Sequence, residues 1–391
     1  MQSFIYRNAT QVHFGPGVLA AIGPRIAAES IASVLVVTGG SAAQRCGALP
    51  QVEASLAGAG IAVTHFAGVT PNPSLEVVLR CRDLLAQVQG VVAVGGGSVM
   101  DAAKAAAALY HVQGDPWQAF AERRNLDKAV PVFTVPTLSG TGSELNGTAV
   151  ITNEATQQKW GMRGAFPVAA FMDPTLQAGL PWALTMTGAI DAMTHVLEFS
   201  VAGQPLAEGT DVPVSGGPYF AEEAVLAQNE ALLRTLVRSA TLLRQQADHH
   251  EARASLAWAA GLALGGITGV GLGAGSWDAH SLEHAVSGMR PEVPHGLGLA
   301  VLFPCWMEVT LAARDPMFAR LARNVWGVQG AQAGIDAMRA CFRNWGAPAN
   351  LQAWGFTAED VEPLVELAMQ YPRPLLISRE QVAEVFRRAM G

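Results

Sequence analysis

Three short β-branched runs near the start of the chain each stop at a helix breaker. Ser33-Val34-Leu35-Val36-Val37-Thr38 precedes Gly39-Gly40, Val91-Val92-Ala93-Val94 precedes Gly95-Gly96-Gly97, and Val132-Phe133-Thr134-Val135 precedes Pro136 and a glycine-rich turn. Alanine-rich stretches of helical composition lie between them, the pattern of βαβ units, which close into a parallel sheet with helices on its faces. Such sheets bind ligands outside the carboxyl ends of their strands, and here those ends are the glycine-rich turns. A fourth run, 168–172, stops at Asp173-Pro174. Past Leu180-Pro181 the alternation gives way to long Ala/Leu-rich segments of helical period that continue to Phe386-Arg387-Arg388. The expected fold is an α/β domain over residues 1–180 and an all-α domain over 181–391, a division that suits a chain of 391 residues. The Gly/Pro-rich stretch 203–217 is expected to be a surface loop.

Composition removes several classes of function. Half the residues are apolar and 15% are charged, which describes a globular protein. A net charge of −7, from 25 Lys+Arg against 32 Asp+Glu, leaves no basic stripe, so nucleic acid is not an expected partner. Cys46, Cys81, Cys305 and Cys341 show no CxxC spacing and read as reduced thiols; with no secretory pattern at Met1 to Asn8, a cytoplasmic location is expected. The stretch 255–277 carries no charge and is long enough to cross a bilayer. Its many glycines, its exit at Asp278 and His280, and its lack of aromatic and basic anchors make it a buried helix pair instead, with no membrane partner.

Gly95-Gly96-Gly97-Ser98 leaves a strand and enters the helical Val99-Met100-Asp101-Ala102-Ala103-Lys104. Residues without side chains let backbone N–H groups approach an anion, and the helix N-terminus adds roughly half a positive charge. A plain strand-to-helix turn also uses glycine, so the second loop matters. Pro136-Thr137-Leu138-Ser139-Gly140-Thr141-Gly142-Ser143-Glu144 follows the next strand with small and hydroxyl residues suited to a nucleotide and its nicotinamide. Thr141 or Ser143 can also cap a helix there.

Asp191 and His195 are four apart in a helical segment, which places both side chains on one face. His280 and His284 repeat that spacing, and His295 follows in Val293-Pro294-His295-Gly296. An oxygen ligand with imidazoles suits a divalent ion such as Zn²⁺ or Fe²⁺. No Lys or Arg lies within seven residues of Asp191, so a metal is the expected countercharge for a carboxylate among apolar neighbours. Spacing alone leaves His284 open as a ligand. His13, His65, His111, His249 and His250 lack such company.

Together these residues resemble, in order and spacing, the iron-containing (group III) alcohol dehydrogenases, of dehydroquinate synthase-like fold. The resemblance runs from Phe14-Gly15-Pro16-Gly17 to about Pro304, and Trp277-Asp278-Ala279-His280-Ser281-Leu282-Glu283-His284 is similar to the butanol dehydrogenase and aldehyde reductase branch. It implies an α/β nucleotide-binding domain, an all-α metal-binding domain, a cleft site between them and a homodimer. The ligands it implies are Asp191, His195, His280 and His295, with His284 near the nicotinamide as a proton relay. Gly39, Gly40, Ser41, Asn72, Gly95, Gly96, Gly97, Ser98, Asp101, Thr137, Leu138, Thr141, Ser143 and Leu180 are the expected cofactor positions. Departures are an extra residue and Arg290 in the segment 284–295, and the apparent insertion 203–217.

The implied reaction is hydride transfer between nicotinamide and a small aldehyde or primary alcohol, with Asp191, His280 and His284 at its centre and Fe²⁺ or Zn²⁺ as the ion. An acid at position 39 would bond the ribose 2′-OH of NAD(H) and repel a 2′-phosphate. Gly39-Gly40-Ser41 offers room and donors instead, so NADP(H) is expected over NAD(H). A lyase or phosphorylated-polyol dehydrogenase on the same fold would need several cations around a substrate phosphate, and only Arg163 and Arg290 are candidates. A non-catalytic nucleotide- or metal-binding protein is the remaining alternative.

Overall fold

The computed structural model describes residues 5–126, 128–164, 166–202, 220–272, 275 and 277–391. The three β-branched runs are strands, and the fourth run holds a strand over Ala169–Met172. In chain order the strands are β1 (Gln11–Phe14), β2 (Ser33–Thr38), β3 (Ala62–Phe66), β4 (Gly90–Gly95), β5 (Asn125–Leu126), β6 (Val132–Pro136), β7 (Thr148–Asn153), β8 (Gln158–Gly164) and β9 (Ala169–Met172). Six of them form a parallel sheet in the order β1-β9-β6-β4-β2-β3. β4 and β6 are buried along their whole length, as suits strands with helices on both faces. A smaller sheet, β5-β8-β7, holds the antiparallel pair β7 and β8.

Strand order sets where a ligand can sit. From β2 the chain moves outward to β3 and then returns to place β4 on the other side of β2, a reversal that opens a crevice at the carboxyl ends. Thr38 pairs with Val94, and Gly95 with Pro136, so the turns at Gly39, Gly96 and Thr137 emerge side by side. Helix Gly97–Leu109 starts at the middle turn, and its run of alanines lets it bury nearly every position.

From Trp182 onward the described residues contain helices and turns and no strand. Their core gathers residues of the helices Trp182–Leu197, Phe220–Gln245, His250–Ala263, Asp278–Met289, His295–Leu321, Ala331–Trp345, Val361–Met369 and Arg379–Met390. Among the described residues one helix, His295–Trp326, is long and apolar enough to cross a membrane; its 18-residue apolar window has mean hydropathy 1.6 and is 67% buried inside the fold. Among the described residues of 255–277 the expected helix pair is not formed. Helix His250–Ala263 takes the first part and ends before Gly265 and Gly266, the latter at φ +91°, and the short 3-10 turn Ile267–Gly269 follows. Closely spaced glycines cost too much backbone entropy to continue a helix. The loop expected at 203–217 lies outside the described residues.

The two parts meet where backbone touches backbone. A Cβ on Gly188, inside helix Trp182–Leu197, would lie 2.0 Å from the Ser139 carbonyl oxygen, and one on Gly140 would lie 2.7 Å from the Gly188 Cα. Glycine in a helix interior costs about 1 kcal/mol relative to alanine; here it lets the loop after β6 rest against the helix one turn before Asp191. Gly188→Ala is therefore expected to destabilise the protein by about 1–3 kcal/mol, read as a lower midpoint in denaturant unfolding. An unchanged midpoint would show that the contact is slack.

Candidate active site

Asp191 and His195 lie one turn apart on helix Trp182–Leu197, His280 and His284 one turn apart on Asp278–Met289, and His295 opens His295–Leu321 behind Pro294. Gly296 brings the last helix against the first, since a Cβ there would lie 2.1 Å from the Thr187 carbonyl oxygen. Trp277, at φ +58°, turns the chain into helix Asp278–Met289. That backbone costs about 1–3 kcal/mol and is compensated by ring packing at centroid distances of 5.0 Å to Phe199, 5.2 Å to His280 and 6.0 Å to His195.

Three imidazoles surround one carboxylate oxygen. Asp191 Oδ1 is 3.6 Å from His195 Nε2, 3.9 Å from His280 Nε2 and 3.6 Å from His295 Nε2. These separations exceed hydrogen-bond length, and Asp191 Oδ1 and His280 Nε2 are buried without a hydrogen-bond partner. Ligands about 2.1 Å from a tetrahedral ion stand about 3.4 Å from one another. The spacing, the orphaned atoms and the mixed oxygen and nitrogen donors therefore fit a divalent iron or zinc ion. His284, left open by spacing, falls instead into a neighbouring group with Glu283 and His295. Its ring stands 5.4 Å from that of His295 and 5.7 Å from that of Tyr371, and its Nδ1 is unpartnered.

Burial pushes the Asp191 carboxyl up to about 8, with Glu283 adding repulsion. It also pushes His195, His284 and His295 well below the usual imidazole range. Three groups that the sequence reading missed stand behind the imidazoles. Glu198, where the helix continues as a π-helical turn, accepts from the His280 backbone N–H at 3.2 Å and faces His280 Nδ1 at 3.3 Å. Glu283 Oε2 meets His295 Nδ1 and accepts from Ser287 Oγ at 3.3 Å. Lys159, delivered by β8, approaches Glu283 Oε2 at 3.4 Å and donates to Ser287 Oγ at 2.8 Å. The two acids each follow a candidate histidine by three residues, a spacing that was available to read. Lys159 was invisible to a search of Asp191's sequence neighbours; it supplies a buried cation close to the site, so a metal is not the sole countercharge.

The cofactor positions divide. A Cβ on Gly97 would lie 2.3 Å from Thr141 Cγ2 and one on Gly96 3.6 Å from Leu138 Cβ, while the Thr137 N–H donates to the Gly95 carbonyl at 2.9 Å. Gly95, Gly96, Gly97, Ser98, Thr137, Leu138 and Thr141 thus form one continuous surface. Gly39, Gly40 and Ser41 lie at the end of β2, where the Ser41 Oγ accepts from Arg45. Leu180 is half-buried just before helix Trp182–Leu197. Asp101 and Ser143 are buried and hydrogen-bonded to each other at 2.6 Å, with Asp101 also accepting from the Val150 N–H at 2.9 Å. Asn72, at φ +50°, accepts from Lys159 at 2.9 Å and donates to the Pro291 carbonyl at 2.8 Å.

The family model described as iron-containing alcohol dehydrogenase matches residues 9–174, and that of the C-terminal part of the same family matches residues 221–390. The chain belongs to the iron-containing alcohol dehydrogenase family. It is 32% identical to NADH-dependent butanol dehydrogenase A of Clostridium acetobutylicum, with 100% of both chains covered. It is 31% identical to the NADPH-dependent aldehyde reductase YqhD of Escherichia coli, covering 94% of this chain and 92% of that one. The crystal structure of NADH-dependent butanol dehydrogenase A of Thermotoga maritima superposes with a TM-score of 0.91 at 34% identity, covering 100% of this chain and 99% of the other. As a member of this family the chain is a metal-dependent oxidoreductase acting on CH–OH groups.

Metal binding in this alcohol dehydrogenase should depend on pH with a definite sign. Without an ion Asp191 keeps its proton up to about pH 8, and an incoming dication must displace it. Affinity of chelator-treated protein is expected to rise about tenfold per pH unit from about pH 6 and to level near pH 8, with about one proton released per ion at neutral pH. Calorimetry in buffers of different ionisation enthalpy measures that proton, and a flat profile contradicts the assignment.

Proposed function

We propose that this chain interconverts small aldehydes and primary alcohols, using NADP(H) in preference to NAD(H), at a centre made by Asp191, His195, His280 and His295. The observation that carries the reading is the convergence of four donors from three helices on one point, next to a loop that touches the same helix at Gly188. A bound divalent ion would supply Lewis acidity toward a carbonyl oxygen, and a bound nicotinamide would supply the hydride chemistry. The chain's part is placement. Gly95, Gly96, Gly97 and Ser98 would present backbone N–H groups at a helix N-terminus to a pyrophosphate, and Thr137, Leu138 and Thr141 would flank the nucleotide. Asp101 and Ser143, tied to each other, hold the shape of that surface from beneath. His284, neutral and with Nδ1 unpartnered, carries the proton to or from the substrate oxygen.

The phosphorylated-substrate alternative loses its residues. Arg290 is engaged by the Trp354 carbonyl, by Asp360 at 3.6 Å and by the Phe356 ring at 4.2 Å, and Arg163 lies exposed on β8. A homodimer is part of the proposal, because β1 is an edge strand whose exposed Phe14 packs edge-on against exposed Trp258, an apolar border of the kind that a second copy covers.

His280→Ala is expected to lose bound metal and turnover together, whereas His284→Ala keeps the metal and slows turnover by about 10²–10⁴-fold. Metal content by elemental analysis beside butanal reduction rates reads both, and equal metal loss in the two variants contradicts the roles. For the cofactor, Arg45 on Ser41 supplies a guanidinium that suits a 2′-phosphate. Arg45→Ala should raise KM for NADPH by about 10–100-fold and leave that for NADH nearly unchanged; equal effects on the two would point to NAD(H).

A further inference from the structure

An imidazole that offers Nε2 to an ion is held or free to turn according to what its Nδ1 meets. Among the three candidate ligands that second nitrogen is treated differently. Nδ1 of His195 is buried without a partner. Nδ1 of His280 faces Glu198 at 3.3 Å. Nδ1 of His295 makes a closer contact, with Glu283 Oε2, and stands 3.4 Å from Lys159 Nζ. His295 is also the ring in most need of a brace, because its side chain is 22% exposed against 7% for His195 and His280, and it stands on the first residue of its helix.

Glu283 is itself locked. Its side chain has no solvent exposure, and the same Oε2 is approached by Lys159 Nζ at 3.4 Å and Ser287 Oγ at 3.3 Å. Lys159 is anchored on Asn72 at 2.9 Å, and Asn72 donates to the Pro291 carbonyl at 2.8 Å, in the turn that leads to His295. Pro291, Asn72, Lys159, Glu283 and His295 therefore form a closed chain of contacts that starts and ends on one segment. A buried carboxylate with a buried ammonium beside it would be a costly ornament if it did nothing but fill space.

We infer that Glu283, paired with Lys159, is a positioning residue for the metal centre. Its carboxylate accepts the Nδ1 proton of His295 and so directs the Nε2 lone pair toward Asp191, while Lys159 and Asn72 keep the carboxylate in that orientation. A ring so held loses little freedom on binding an ion, and the adjacent carboxylate makes its free nitrogen a stronger donor. The inference rests on Asp191, His195, His280 and His295 being the ligands.

The test is Zn²⁺ affinity of the full-length protein, measured by competition with a chromophoric chelator after metal removal, in the unaltered chain and in E283A, E283Q and H280A. E283A is expected to bind about 10–100-fold more weakly with far-UV circular dichroism unchanged. E283Q keeps the shape and one acceptor oxygen and should recover most of that affinity, while the visible bands of its Co²⁺ form shift as the His295 donor changes. Equal affinity in E283A and the unaltered chain, with Zn²⁺ lost in H280A, overturns the positioning role and leaves the centre standing. Failure of the unaltered chain to bind Zn²⁺ or Co²⁺ overturns the centre itself. Should E283A not fold, E283Q decides alone, and Co²⁺ bands that superimpose on those of the unaltered chain refute the inference.

Discussion

The structure is organised around a carboxylate that has been taken out of water. Asp191 is almost wholly buried, and its Oδ1 has three imidazole nitrogens around it but no hydrogen bond. In that state the group gives up its charge, which is why burial pushes it up to about 8. A dication at that point would reverse the balance by giving the oxygen and the three nitrogens a common partner. The backbone strain at Trp277 and the close approaches at Gly188 and Gly296 are intelligible as what it takes to bring three helices to one point.

The same packing ties the candidate metal centre to the proposed cofactor surface. Helix Trp182–Leu197 carries Asp191 and His195 on one stretch and receives the Ser139-Gly140 backbone at Gly188, less than one turn away. That loop in turn is seated on the Gly95 to Gly97 turn through Thr141 and the Thr137 N–H. Hydride transfer demands that a donor carbon and an acceptor carbon be held within contact distance. Rigid backbone contacts without intervening side chains are an effective way to transmit that placement, because a backbone cannot change rotamer.

Much of this was legible in the sequence where burial leaves a pattern. β2, β4, β6 and β9 lie inside the sheet and read as apolar runs, and the glycines after β2 and β4 with the glycine-rich turn after β6 mark the crevice. Asp191/His195 and His280/His284 announced themselves through helical spacing, with His295 added from the family pattern. The edge strands β1 and β3 were missed because they are only partly buried and carry His13, Thr64 and His65, and β8 because Lys159, Gly161 and Arg163 interrupt any strand-like alternation. Asp101 and Ser143 were expected at the cofactor, yet their polar atoms engage each other, since sequence proximity to a glycine loop does not say which way a side chain faces. Lys159 and Asn72 were beyond reach as a pair, because the contact between them joins a hairpin to a turn 87 residues away.

The most direct measurement of the central claim is anomalous diffraction, at the metal absorption edge, from crystals of the iron- or zinc-loaded protein. One peak bounded by Asp191 Oδ1 and by Nε2 of His195, His280 and His295 is the result this account requires. Density elsewhere, or an ion held by His284 in place of His295, would contradict it.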